Sequence, residues 1–224
     1  ANIKRQQEVD ADIINDCMFL GPNPQPAFND IQGHWAEEKI GFLGRLRRRT
    51  SSRPLIQGYT TTIDGEPARI FSPDRPISRY EVLKLVLMSS CTALEKDIDS
   101  VPISFRDVPK DTFLTGDAAL KRRIIYTAAN MGIVRGYSDN FFKPDEPMNR
   151  AEALKVVILI SGLPPLEDAP SEQYSDVPPS AWFTPYIERA AYDGIVSGYS
   201  DGTFKPGKAM TRAEFGKMLY MLLY

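Results

Sequence analysis

One histidine and two cysteines in 224 residues leave little from which to build a metal centre or a nucleophile–base pair. Cys17 and Cys91 lack metal-ligand spacing and neither has His34 nearby in the sequence, so zinc and cysteine-protease readings are poor. There is no Gly-rich phosphate loop, no nucleophile elbow around a serine and no metal-binding cluster. No run approaches the roughly 18 apolar residues that a membrane-spanning helix needs. A charge excess of one sign is missing too: 27 Lys plus Arg face 29 Asp plus Glu, for a net charge of -2. That balance supplies no global field for nucleic acid, so any anion site is local. Catalysis, cofactors and metals are not expected.

What is present is an ordinary globular composition, 42% hydrophobic and 10% aromatic, enough to bury one large core or a few small ones. In an exported protein the two cysteines can pair, closing a loop of about 73 residues worth roughly 4 kcal/mol by chain entropy. Two free buried thiols are the expectation.

The informative feature is a pattern that returns three times. Its cleanest copy reads Tyr174-Ser-Asp176-Val177, Ala181-Trp182, then Gly194 to Pro206 with Gly198-Tyr199-Ser-Asp201-Gly202-Thr-Phe204, and closes on Thr211-Arg212-Ala213-Glu214. The middle copy has Phe105-Arg-Asp107-Val108, Gly136-Tyr137-Ser-Asp139, Phe142-Lys-Pro144 and Asn149-Arg150-Ala151-Glu152. The first has Phe28-Asn-Asp30-Ile31, His34-Trp35, Gly58-Tyr59, Phe71-Ser-Pro73 and Ser78-Arg79-Tyr80-Glu81. An insertion near Thr60 to Arg69 separates its Tyr from its Phe, and Asp64-Gly65 inside it signals a turn on a surface excursion. The divisions expected are residues 28–95, 96–165 and 166–224 for the copies. Residues 1–27 precede them, with Val9, Ile13, Cys17 and Leu20 on one helical face before a Pro-rich spacer.

Each copy reads as helix, loop, helix. Trp182, Tyr186, Ile187, Ala190 and Ala191 form a stripe that Gly194 ends, and Phe215, Met218, Leu219 and Leu222 form the next. One such pair cannot bury its stripe alone, so neighbours must share a core. The expected class is all-α.

The order of aromatic-x-Asp-Val, Trp, Gly-Tyr-x-Asp-Gly-Thr-Phe-x-Pro and Thr-Arg-Ala-Glu resembles the S-layer homology (SLH) family over about residues 28–224. The resemblance implies a pseudo-threefold arrangement of three repeats around a central three-helix bundle, with grooves between neighbours. It also implies an extracellular, non-catalytic module, bacterial and bound to the cell wall. Such modules take an acidic secondary cell-wall polysaccharide, commonly pyruvylated, or a peptidoglycan-linked polymer, and so hold a fused or associated surface-layer protein.

Ser78, Asn149 and Thr211 each stand three residues before a Glu, the spacing of a capping box. Capping does not explain the intervening arginines, because a cation at the first helical position meets the positive end of the dipole. Either each arginine helps form an anion site, or it bridges to another repeat through Asp30, Asp107 or Asp176. The resemblance favours Arg79, Arg150 and Arg212 as ligand contacts. It adds Gly58, Gly136 and Gly198 for close backbone approach and Tyr59, Tyr137 and Tyr199 as an aromatic wall for a sugar. Trp35 and Trp182 are either core residues or groove borders, and Phe113 is their nearest counterpart in the middle copy. Asp139 and Asp201 are turn formers first and sugar contacts second.

Two basic runs remain, Arg45-Leu-Arg47-Arg48-Arg49 with Arg53, and Lys121-Arg122-Arg123. They are solvated faces or a diffuse attraction for an anionic polymer. A protein-assembly module is the alternative function, and a glycan hydrolase a weaker one resting on acidic pairs such as Glu37 with Glu38.

Overall fold

The computed structural model describes residues 13–15, 17–22, 28–49, 51, 53–110, 115–166 and 173–224. Three helices begin at capping boxes: α2 (Arg79–Ser89), α4 (Arg150–Ile160) and α6 (Arg212–Leu223). In each, the Ser78, Asn149 or Thr211 side chain accepts the backbone N–H of Glu81, Glu152 or Glu214, and that Glu carboxylate accepts the cap residue's own N–H. Before them in their copies run α1 (Glu37–Arg45), α3 (Gly116–Asn130) and α5 (Thr184–Tyr192). Gly132 and Gly194, with φ of 72° and 71°, end α3 and α5 in the left-handed conformation expected of a cap glycine.

The fold is not all-α. Among the described residues, β1 (Ile13–Asn15), β2 (Met18–Leu20) and β3 (Leu46–Arg48) form an antiparallel three-stranded sheet. Ile13–Asn15 and Met18–Leu20 are therefore paired strands rather than parts of a helix, and Val9 of the expected helical face lies outside the described residues. Met18 pairs with Arg48 and Leu20 with Leu46, which joins this arm to the end of α1. A second sheet, β4 (Tyr59–Ile63) with β5 (Glu66–Ile70), is the insertion of the first copy. Its turn places Asp64 and Gly65 at φ of 51° and 84°, the paired positive angles that a two-residue hairpin needs. Helical periodicity hid the first sheet, because Ile13 and Leu20 fit either pattern. The central three-helix bundle is also corrected: each of these helices packs most closely on a first helix, α2 on α3, α4 on α5 and α6 on α1, and of the three only α2 and α4 also pack substantially on each other.

Cys17 and Cys91 form a disulfide across 74 residues, not two free thiols. It ties the N-terminal arm to the segment just past α2. The Pro-rich spacer beyond Pro22 and Phe113 lie outside the described residues.

One buried cluster runs through all three copies, from Met18 and Ile40 through Val82, Ile124 and Val157 to Phe215 and Leu219. The helix-starting segments close a ring of backbone hydrogen bonds. Ile77 N–H donates to the Met210 carbonyl, Met210 N–H to Met148, and Met148 N–H to Ile77, at 2.9, 3.0 and 3.0 Å. This ring brings the start of each second helix beside the loop of the next copy.

Candidate functional site: the inter-repeat grooves

Each groove begins with an aspartate. The Asp107 carboxylate accepts the backbone N–H groups of Phe142 and Lys143 at 2.8 and 2.7 Å. Asp30 does the same for Phe71 and Ser72, and Asp176 for Phe204 and Lys205. The second residue of each pair has a left-handed φ of 57–58°, a strained angle for a side-chain-bearing residue that the carboxylate holds in place. The aspartates are thus intra-repeat staples and not partners of the arginines.

That staple aims a phenylalanine carbonyl at the neighbouring copy, where the motif arginine meets it. Arg79 Nε donates to Phe142 O at 2.9 Å, Arg150 Nε to Phe204 O at 2.9 Å and Arg212 Nε to Phe71 O at 2.8 Å. Each guanidinium lies over that phenylalanine ring, 4.5–4.7 Å from its centroid, and 4.9–5.4 Å from the ring centroid of Tyr137, Tyr199 or Tyr59. The third partner is the capping glutamate of the same neighbour. Nη1 of Arg212 reaches Glu81 at 2.5 Å, Arg150 stands 3.8 Å from Glu214, and Arg79 stands 3.9 Å from Glu152. All three arginines are buried.

The glutamates carry the electrostatics. Burial disfavours the Glu81 carboxylate, but the Ser78 N–H, Arg212 and Arg75 outweigh it and bring its pKa below the ordinary value. Glu214 is lowered in the same way, against burial, by the Thr211 N–H, Lys208 and Tyr199. Lys208 is raised, chiefly by its hydrogen bond to the Tyr199 hydroxyl.

Two grooves are enclosed enough to hold a sugar. The cavity at Arg212 has a volume of about 380 Å3, with Gly58, Tyr59, Arg75, Glu81 and Lys84 in its wall. The one at Arg150, about 300 Å3, has Trp35, Gly198, Tyr199, Glu214 and Lys217. Both combine a backbone edge, an aromatic face, carboxylates (Glu81 and Asp145 in the first, Glu214 in the second) and two or three cations, a set suited to an acidic carbohydrate. Among the described residues no cluster of His, Cys, Asp and Glu suits a metal ion, and no helix is long and apolar enough to cross a membrane.

The residues singled out from sequence divide by position. Trp35 and Trp182 are exposed, at 57% and 54%, so neither is core. Trp35 borders the Arg150 groove, and Trp182 stands 5.5 Å from Lys155 Nζ. Tyr59, Tyr137 and Tyr199 each stack beside an arginine. The glycines have a packing reason: a Cβ on Gly58, Gly136 or Gly198 would stand 2.3–2.7 Å from the ring of Phe28, Phe105 or Tyr174. Asp139 and Asp201 accept the backbone N–H two residues on, at 3.2 and 3.1 Å. The Thr203 hydroxyl and Lys205 also bring the Asp201 carboxyl down to about 2. Missed were Lys84, Lys155 and Lys217. Each stands three residues after its motif glutamate, a spacing present in all three copies and readable from the sequence.

With this geometry in place, similarity to known proteins is specific. A family model for the S-layer homology domain matches residues 118–154 and 173–215, which fall in the second and third copies. Cell surface glycoprotein 1 of Acetivibrio thermocellus is 37% identical over 40% of this chain and 4% of its own length. The surface layer protein of Brevibacillus choshinensis is 30% identical over 64% of the chain and 13% of its own length. The cellulosome-anchoring protein of A. thermocellus is 30% identical over 43% of the chain and 22% of its own length. The chain therefore spans less than a quarter of each of these relatives. The matched domain in this company associates the chain with the cell surface or cell wall.

Proposed function

We propose that the chain is a non-catalytic anchoring module that holds a surface protein on the cell wall by taking an acidic, pyruvylated polysaccharide in its inter-repeat grooves. The first copy, residues 28–95, is a third repeat of the same kind. It uses the same aspartate staple, arginine–carbonyl bond and capping box as the two matched copies.

The observation that carries the reading is the recurrence of one polar arrangement at the inter-repeat joints. At the Arg150 joint the arginine commits Nε to the Phe204 carbonyl and Nη2, at 3.5 Å, to the Ser197 carbonyl, so Nη1, Lys217 and the Tyr199 face serve the groove. A ketal carboxylate meets Lys217 and the Arg150 edge, while the sugar ring lies between Tyr199 and Trp35. Glu214 accepts sugar hydroxyls and repels a second carboxylate, which favours one acidic group per groove. Separate grooves on one chain combine by avidity, so each needs only modest affinity.

The test is retention on purified cell-wall polymer before and after mild removal of its pyruvate groups. Retention is expected to fall at least tenfold, and equal retention on both polymers would sink the carboxylate-recognition reading.

A further inference from the structure

Outside the grooves, a basic surface lies where the β4–β5 hairpin meets β3. Arg47, Arg53, Arg69, Gln57, Tyr59 and Thr60 line an open hollow of about 690 Å3 there, and no carboxylate is among its described lining residues. Two of these cations are set by backbone. Arg47 donates to the Arg45 carbonyl at 2.9 Å and the Pro22 carbonyl at 3.4 Å. Arg69 donates through Nε to the Gln57 carbonyl at 2.8 Å and lies 4.6 Å over the Phe28 ring. Burial, then the nearby Arg47 charge, lowers the Arg69 pKa, as expected of like charges held close together. Cations fixed before an anion arrives lose little freedom when it binds.

The hollow is continuous with the Arg212 groove. Gln57, Gly58 and Tyr59 belong to both, and the Tyr59 ring stands between them, with the Arg75 and Arg212 guanidiniums 5.6 and 5.4 Å from its centroid. On its other flank Arg53 and Gln57 also line a smaller cleft with Arg48, Lys84 and one carboxylate, Asp117. The track from Lys84 through Arg53 to Arg47 and Arg69 uses β3 and the inserted hairpin, features of the first copy alone among the described residues.

We propose that this ledge is a second anion site, taking the next carboxylate-bearing residue of an acidic sugar chain whose preceding residue occupies the Arg212 groove. The ligand's identity rests on the glycan reading above. A carboxylated sugar fits better than a bare phosphate, because Tyr59 offers a ring face and Gln57 and Thr60 offer hydroxyl partners beside the cations.

The test is a titration of the full chain followed through arginine side-chain NMR signals, with hexagalacturonate, galacturonate and inorganic pyrophosphate as probes. The signals of Arg47, Arg53 and Arg69 are expected to move with hexagalacturonate, at higher affinity than with galacturonate. Arg53→Glu, on an exposed side chain, should weaken that affinity about tenfold, the loss of one charge-assisted contact, with the spectrum otherwise folded. Stationary ledge signals, an unchanged affinity in Arg53→Glu, or movement with pyrophosphate alone would overturn the proposal. Tyr199 and Lys217 report separately on the Arg150 groove. If they move while the ledge is still, the ledge fails and the glycan reading stands; if the ledge moves while they are still, the ledge stands and the Arg150 groove fails as a glycan site.

Discussion

The joint between the third and first copies and the joint between the first and second use the same arginine and differ around its outer nitrogens. The bond from Nε to the phenylalanine carbonyl is nearly invariant, 2.8 Å for Arg212 and 2.9 Å for Arg79. The carboxylate contact is not, closing to 2.5 Å at Glu81 and opening to 3.9 Å at Glu152. The charge around that contact also differs, at the residue four places before each motif arginine. Arg75 and Lys208 each donate to the capping glutamate of their own copy, at 2.6 and 3.0 Å, whereas the middle copy carries Glu146 at that place. The carbonyl bond is thus the mechanical part of the joint, and the carboxylate arm is the part in which the grooves diverge in charge.

The first copy has a further clamp, and breaking it should have the largest effect. Reduction of Cys17–Cys91 frees a 74-residue loop, and the chain-entropy model predicts a loss of about 4 kcal/mol, checked by denaturant melts with and without reductant. Arg212→Ala comes next. It leaves the Phe71 carbonyl unpaired and takes one of two arginines from the half-buried Glu81, for about 3 kcal/mol and roughly 10 °C in melting temperature. Arg79→Ala should cost about 1 kcal/mol less, because Glu152 is already distant; equal losses would show that the carboxylate arm contributes nothing. Gly198→Ala drives a methyl against the Tyr174 ring and should cost about 2 kcal/mol, with Gly136→Ala somewhat milder.

The smallest effect is acid sensitivity. Glu81 and Glu214 have lowered folded pKa values, so their stabilisation is fully present above the ordinary carboxylate value near 4.3 and is lost as pH falls through the lowered values. Glu81→Gln should therefore flatten the stability profile below about pH 5, as read from melting temperature against pH.

Sequence spacing exposed what is local and repeated. The capping boxes, the cap glycines Gly132 and Gly194 and the Asp64-Gly65 turn follow from short-range rules, and the structure has all of them. What depended on distant partners was not legible. Strand pairing of Met18 with Arg48 crosses 30 residues, and the short β1–β2 hairpin carries a pattern that a helical face also satisfies. The arginines were recognisable as unexplained by capping, but their partners were not. Asp30, Asp107 and Asp176 looked like suitable counter-charges and instead hold left-handed backbone in their own copies. Helical spacing alone left Trp35 and Trp182 open between core and groove border, because exposure at a helix edge leaves no periodic trace; both are exposed.

The most direct measurement is a crystal structure of the chain with an acidic fragment of cell-wall polymer. The account predicts a carboxylate within hydrogen-bond reach of Lys217 and the outer edge of Arg150, with the sugar ring against Tyr199 and Trp35. A fragment bound away from the inter-repeat grooves, or bound there through neutral hydroxyls with its carboxylate in solvent, would contradict it.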